Sequence, residues 1–192
     1  MKTLLQEYLE RCKQPSDINE HLPTIYKYAK LCDSVAEFGV RDVVSTYALA
    51  AALPKRLIGV DVFTSPQVIL FLEQCKVEGI NASFYCNSTL EFDLEPVDLL
   101  FIDTLHTYTQ LSKELARHHN KVKKYMLFHD TISYRFHDEG NYLTGNTESE
   151  VKSNSSAGLE AALREFLQKN SNWKEIETYI NNNGLTVLGR IQ

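Results

Sequence analysis

The segment Val97-Asp-Leu-Leu-Phe-Ile-Asp103 constrains this chain more than any other stretch. Its apolar run is too short for a helix and reads as a strand buried on both faces, as in a parallel sheet. The run stops abruptly at Asp103, with His106 close behind, and a second run, Tyr125-Met-Leu-Phe, stops in the same way at His129-Asp130. About 25 residues separate the two stops, a length that fits one crossover helix. In open α/β sheets ligands bind outside the carboxyl ends of the strands. Asp103, His106, His129 and Asp130 are therefore expected at one rim, as parts of one site.

The pattern repeats along the chain. Strand-like runs at Val35–Gly39, Leu57–Asp61 and Ala82–Cys86 alternate with helical stretches. One helix, Thr46–Leu53, is Ala-rich and stopped by Pro54; another, Val68–Val77, is opened by Ser65 as N-cap and Pro66 at the first helical position. Tyr108, Leu111 and Leu115 mark a helix after the fourth strand, and Leu159, Ala162, Leu163, Phe166 and Leu167 mark one after the fifth. Trp173–Ile180 and Leu185–Ile191 flank Asn181-Asn-Asn-Gly184, the signature of a hairpin. The expected fold is α/β: a doubly wound sheet, mostly parallel with an antiparallel C-terminal strand, and helices on both faces.

Residues 1–32 read as two helices packed on this core, with Asp17 as N-cap of the second, and residues 33–192 as one domain. Residues 132–157 form a long stretch rich in Asn, Ser, Thr and Gly that leaves directly from the acidic rim, and they read as a lid over a substrate, with a passive disordered insertion as the alternative. Within it His137, Asp138 and Glu139 read as a solvated turn. His118 and His119 likewise read as solvated.

A net charge of −5 without a basic tract gives no reason to expect nucleic acid. No stretch approaches the roughly 20 apolar residues of a membrane span. Acids inside the first ten residues exclude a signal peptide, and Cys12, Cys32, Cys75 and Cys86 are widely spaced, as reduced thiols of a cytoplasmic protein would be.

The first strand and its turn read Ala36-Glu-Phe-Gly39-Val-Arg-Asp-Val-Val-Ser45-Thr46. Gly39 permits a tight turn and Ser45 stands where a helix opens. Asp61 ends the second strand about 20 residues later, where an acid accepts hydrogen bonds from ribose hydroxyls. A pyrophosphate needs a glycine-rich loop, which is missing, and Glu37 would repel it. The same carboxylate suits the ammonium and sulfonium of S-adenosylmethionine, although a lysine partner or a capped turn would also explain Glu37. On the other side of the same rim, Asp103 and Asp130 are suitable oxygen ligands for a divalent cation that orients a hydroxyl and lowers its pKa. An imidazole there is a poorer ligand for magnesium and a better one for manganese, iron or zinc. His106 and His129 are also candidates for a general base.

Taken in order, E-x-G-x(5)-S-T at Glu37–Thr46, the acid Asp61, F-I-D-x-x-H-x-Y at Phe101–Tyr108, F-H-D-T at Phe128–Thr131 and N-G-L-T-V-L at Asn183–Leu188 resemble class I S-adenosylmethionine-dependent methyltransferases. Within these the chain is most similar to the branch of cephalosporin-hydroxylase-like proteins and macrocin-type sugar O-methyltransferases. The resemblance runs from about Val35 to the end and implies a Rossmann-like fold. It implies that Glu37, Gly39 and Ser45 hold the methionine part of the cofactor, Asp61 the ribose, and Asn87 and Ser88 the adenine side. Val40, Arg41, Val62, Asp103 and Thr104 complete the expected cofactor contacts. Asp103, His106 and His129 are the expected catalytic residues; Asp103, His129 and Asp130 are the expected ligands of Mg²⁺ or Mn²⁺. The expected acceptor is a hydroxyl on a small molecule or a sugar or glycan precursor, and the expected assembly a homodimer. The chain departs from many relatives in carrying Val43 where they have a second glycine, which makes the loop bulkier. A non-catalytic scaffold of the same fold is the alternative, and four acids retained at one rim argue against it.

Overall fold

The structure, a computed structural model, describes residues 2–140 and 157–191. Helices α1 (Leu4–Arg11) and α2 (Leu22–Ala29) precede an alternation of β1 (Ser34–Phe38), α3 (Val44–Ala51), β2 (Arg56–Asp61), α4 (Pro66–Val77) and β3 (Asn81–Cys86). Then follow β4 (Val97–Ile102), α5 (Tyr108–His118), β5 (Val122–His129), α6 (Gly158–Lys169) and the hairpin β6 (Trp173–Tyr179) and β7 (Leu185–Arg190). The seven strands lie in the order β3-β2-β1-β4-β5-β7-β6. Strands β1 to β5 pair in parallel, and β7 is antiparallel to both β5 and β6. This is the Rossmann-like architecture expected above. Its strand order reverses between β1 and β4, and that switch point opens a crevice at the carboxyl ends of the two strands. Glu37 and Gly39 belong to one side of the crevice and Asp103 to the other.

Alternation along the central strands divides the core. Val35, Leu99, Phe101 and Leu127 join residues of α1, α2, α3 and α4 on one face. Ala36, Phe38, Leu100, Ile102, Met126 and Phe128 join α5 and α6 on the other. Every residue of β4 is buried, as a strand covered on both faces requires. Strand β3 departs from that rule: it is the sheet edge, and its residues are half-buried or exposed. Edge strand β6 carries Lys174, Glu175 and Glu177, charges that discourage pairing with another sheet.

Two local expectations are corrected. Asp17 does not cap α2, which starts at Leu22 after a 3₁₀ turn over Asn19–His21. Pro23 dictates this, because proline is tolerated only in the first helical turn. Asp17 instead pairs with the Arg41 guanidinium at 2.7 Å. His118 is not solvated either: it is buried, its Nε2 lies 2.7 Å from the Thr89 carbonyl, and Phe38 packs edge-on against its ring. The stretch 132–157 is described only at its two ends. Residues 141–156, most of the expected lid, lie outside the described residues.

Candidate functional site

On the β1 side of the crevice the chain turns at Gly39, with φ +83°. A Cβ there would stand 1.9 Å from the Asp103 carbonyl oxygen. The glycine is thus required by the backbone leaving β4, which passes over it. The turn continues through Arg41 and Val43 at φ 45° and 57°. Positive φ is rare for a β-branched residue. Val43 therefore keeps the left-handed conformation that a glycine would adopt freely, held by burial of its side chain.

Asp61 fastens this turn. Its Oδ2 accepts from the backbone N–H groups of Val40 and Arg41 at 2.7 and 2.9 Å, and its Oδ1 from Phe63 at 3.1 Å. Each oxygen carries two lone pairs, so Oδ1 keeps one for a further donor. Val62 and Asn87 are exposed beside it, and the Asn87 N–H reaches the Asp61 carbonyl. Ser88 is half-buried and caps its own loop by accepting from Leu90.

Glu37 is fully buried, and the hydroxyls of Ser45 and Thr46 donate to its two oxygens, each at 2.5 Å. Burial pushes its pKa up to about 8, although both hydroxyl bonds act the other way. Among the described residues no lysine pairs with it; the hydroxyls of α3 take that place. Across the crevice Thr104 donates to Glu114 at 3.0 Å. Glu114 is also fully buried and accepts from Thr89 and Gln110. It therefore ties the loop after β3 to the loop after β4.

The β4–β5 side carries the titratable cluster. Nε2 of His106 stands 3.1 Å from Oδ1 of Asp103 and 3.1 Å from Oδ2 of Asp130. Nδ1 of His129 stands 3.3 Å from those same two oxygens. The strand ends do bring together the four residues expected at one rim. Asp130 takes φ 59°, a left-handed conformation that aspartate adopts more readily than most residues. Burial opposes the charge of Asp103, yet hydrogen bonds from both imidazoles hold it well below the usual carboxylate range. For each imidazole burial works downward, and the facing acids outweigh it and raise the pKa.

Four features of this cluster were not anticipated. Glu139 is no solvated residue: its Oε2 lies 2.9 Å from Nδ1 of His106 and also accepts from the His106 backbone. Asp138 likewise accepts from the Tyr108 backbone at 2.7 Å. Tyr134 stacks on the His106 ring, 4.9 Å between centroids and 2° between planes. Finally, the Asn182 carbonyl at the hairpin turn faces Nε2 of His129 at 3.3 Å and Nε2 of the buried His21 at 3.1 Å. A run of polar residues in a loop carries no local sign that one of them folds back. The Asn-Gly signal located the hairpin but not what its carbonyl would meet.

Suitability for a divalent cation rests on the donor set. One atom from each of Asp103, His129 and Asp130 lies within 4.8 Å of the others, and among the described residues none of the three forms an ion pair with lysine or arginine. Two carboxylate oxygens and an imidazole nitrogen are ordinary ligands for a hard or borderline divalent ion, so the residues fit such a group.

No protein-family model and no curated protein sequence matches the chain. Solved structures do. The chain is similar to the O-methyltransferase TomG from Streptomyces achromogenes, solved with S-adenosylmethionine: TM-score 0.63 and 11% identity over 100% of this chain and 91% of that one. It is similar to the Podospora anserina methyltransferase PaMTH1, solved with S-adenosylhomocysteine: TM-score 0.62 and 13% identity over 100% and 89%. A 1,6-didemethyltoxoflavin-N1-methyltransferase from Burkholderia thailandensis matches with TM-score 0.62 and 11% identity over 94% and 80%. At these identities the likeness is one of fold: the chain folds as S-adenosylmethionine-dependent methyltransferases do.

Proposed function

We propose that this chain transfers the methyl group of S-adenosylmethionine to a hydroxyl, on a small molecule or on a sugar or glycan precursor. The observation that carries this reading is the position of Asp103. Its backbone closes over Gly39 on the cofactor side, and its carboxylate lies between the two imidazoles on the other. A methyl group leaving a cofactor held against Gly39 would cross the crevice at that residue. The acidic side chains of Asp61 and Asp103 at the crevice favour a cation over a pyrophosphate. The fold shared with methyltransferases solved with this cofactor or its product supports the same assignment.

In this reading Asp61 offers its remaining lone pair to the ribose, and Val40, Arg41, Ser45, Val62, Asn87, Ser88 and Thr104 border the cofactor. Asp103, His106, His129 and Asp130 form the edge at which the acceptor hydroxyl is held in line with the sulfonium and loses its proton. A divalent cation bound there supplies Lewis acidity that lowers the hydroxyl pKa. A hydroxyl acceptor is favoured over a ring nitrogen because a neutral hydroxyl must be deprotonated to react well, and the carboxylates with a cation held between them would meet that need. The sugar character of the acceptor rests on the sequence resemblance alone.

Calorimetric titration of the full chain with S-adenosylmethionine should give one-to-one binding, and S-adenosylhomocysteine should raise the melting temperature. Absence of both at millimolar ligand would sink the proposal. With an acceptor in hand, Asp103→Asn and Asp130→Asn should each lower kcat at least about 100-fold. Full turnover in both would place the chemistry elsewhere.

A further inference from the structure

We infer that His106 is a fourth ligand of the cation centre, aimed by Glu139, so that two imidazoles and two carboxylates select a first-row transition metal over magnesium. Four atoms form a closed ring in which nitrogen and oxygen alternate: His106 Nε2, Asp103 Oδ1, His129 Nδ1 and Asp130 Oδ2. The sides of this ring are 3.1, 3.3, 3.3 and 3.1 Å. Ligands about 2.1 Å from a metal on adjacent octahedral corners stand about 3.0 Å apart. Each side of the ring is therefore close to the spacing of adjacent ligands, and Nε2 of His106 stands as near to the two carboxylate oxygens as Nδ1 of His129 does.

The far nitrogen of each imidazole supplies an independent reason. A histidine that ligates a metal almost always donates its other N–H to a carboxylate or a backbone carbonyl. Nε2 of His129 faces the Asn182 carbonyl, which can only accept, so that nitrogen keeps its proton when a cation replaces the one that Nδ1 shares with the carboxylates. Nδ1 of His106 faces the Glu139 carboxylate in the same way, so Nε2 is the nitrogen that can exchange its proton for a cation. Tyr134 stacked on the ring of His106 fixes the plane in which that nitrogen points. Glu139 reaches back from the segment after β5 to make this contact, and its own N–H bonds the His106 carbonyl at 2.8 Å. Glu139 is thus a positioning residue. With half the donors imidazole, the set favours manganese, iron, cobalt or zinc, whereas magnesium prefers oxygen and water.

The use of this metal in methyl transfer rests on the function proposed above; its binding does not, and the test separates the two. Metal-stripped full chain is titrated with MnCl₂, ZnCl₂ and MgCl₂, and the Mn²⁺ form is examined by pulsed electron paramagnetic resonance. The expected result is one site that binds Zn²⁺ and Mn²⁺ about 100-fold or more tighter than Mg²⁺, with couplings to two imidazole nitrogens. Glu139→Ala should weaken Zn²⁺ and Mn²⁺ roughly 10- to 100-fold. Glu139→Gln, whose amide oxygen still accepts from Nδ1, should recover part of that loss, and both variants should keep the thermal shift with S-adenosylhomocysteine. A single nitrogen coupling in the unaltered chain, equal affinity for Mg²⁺, or no response to Glu139→Ala would each overturn the inference. The nitrogen count needs no variant and so does not depend on an altered protein folding. Cofactor binding with one nitrogen would refute this inference alone, and two nitrogens without cofactor binding would refute the methyltransferase reading alone.

Discussion

Glu37 lies wholly inside the protein with both oxygens taken by hydroxyls, and this makes stability depend on pH in a definite sense. Its pKa is pushed from 4.5 to about 8 by burial, so the folded chain binds a proton there that the unfolded chain has lost across that window. Stability from this group is complete below pH 4.5 and is lost as pH rises through about 8, by up to roughly 5 kcal/mol. Glu37→Gln resembles the protonated form. Urea unfolding of the variant at pH 5 and pH 8 should therefore lack this component of the pH slope. An unchanged slope would assign the effect to other groups. The sequence marks Glu37 and Gly39 as unusual residues at a strand end. It does not reveal that Ser45 and Thr46 satisfy the acid, or that the Asp103 carbonyl is what demands the glycine. Both partners approach across the switch point, from α3 in one case and β4 in the other.

Among the elements, α5 illustrates how a charged residue on a helix can belong to the interior. Leu111 and Leu115 define its apolar stripe, and both are buried as their spacing predicts. Glu114 and His118 lie on the same buried side, because the loops after β3 and β4 bring polar atoms down to meet them. Removing the Glu114 carboxyl would leave the hydroxyls of Thr89 and Thr104 and the amide of Gln110 without their shared acceptor. Glu114→Ala should cost about 2–4 kcal/mol, measurable by urea unfolding. It should also weaken S-adenosylhomocysteine binding, since both loops border the cofactor in the proposed reading. Glu114→Gln, which keeps an acceptor oxygen, should lose less on both counts. A loss of stability with unaltered affinity would leave Glu114 a purely structural residue. Nothing local distinguishes it from a solvated glutamate, because helical spacing shows which side a residue is on and not what covers that side.

At the scale of the molecule, the N-terminal helices and the central sheet share one core. Leu4, Tyr8, Ile18, Leu22, Ile25 and Tyr28 are buried in the cluster that also holds Val35, Leu99 and Phe101. At about 1.5–3 kcal/mol for each buried side chain, these six contribute on the order of 10–15 kcal/mol, comparable to the whole net stability of a domain. A chain lacking residues 1–32 should accordingly show no cooperative unfolding transition by circular dichroism. A cooperative transition in that fragment would make the helices an appendage. His21 and the Asn181–Asn182 carbonyls extend the same connection to the hairpin behind His129.

The sequence by itself determined the alternation of strands and helices, the strand ends at Asp61, Asp103 and His129, and the hairpin at Asn181–Gly184. Each of these is written in short-range terms: the period of apolar residues, the stop at a charge, the turn residues. The same information was enough to expect Asp103, His106, His129 and Asp130 at one rim, because strand ends in a parallel sheet share a side. Only the tertiary structure decided the partners. Glu139 on His106, the Asn182 carbonyl on His129, and Glu114 between two loops join positions about 10 to 50 residues apart whose pairing leaves no periodic trace. Their energy comes from removing polar atoms from water, and a polar atom in a sequence gives no indication of whether water or another residue will satisfy it.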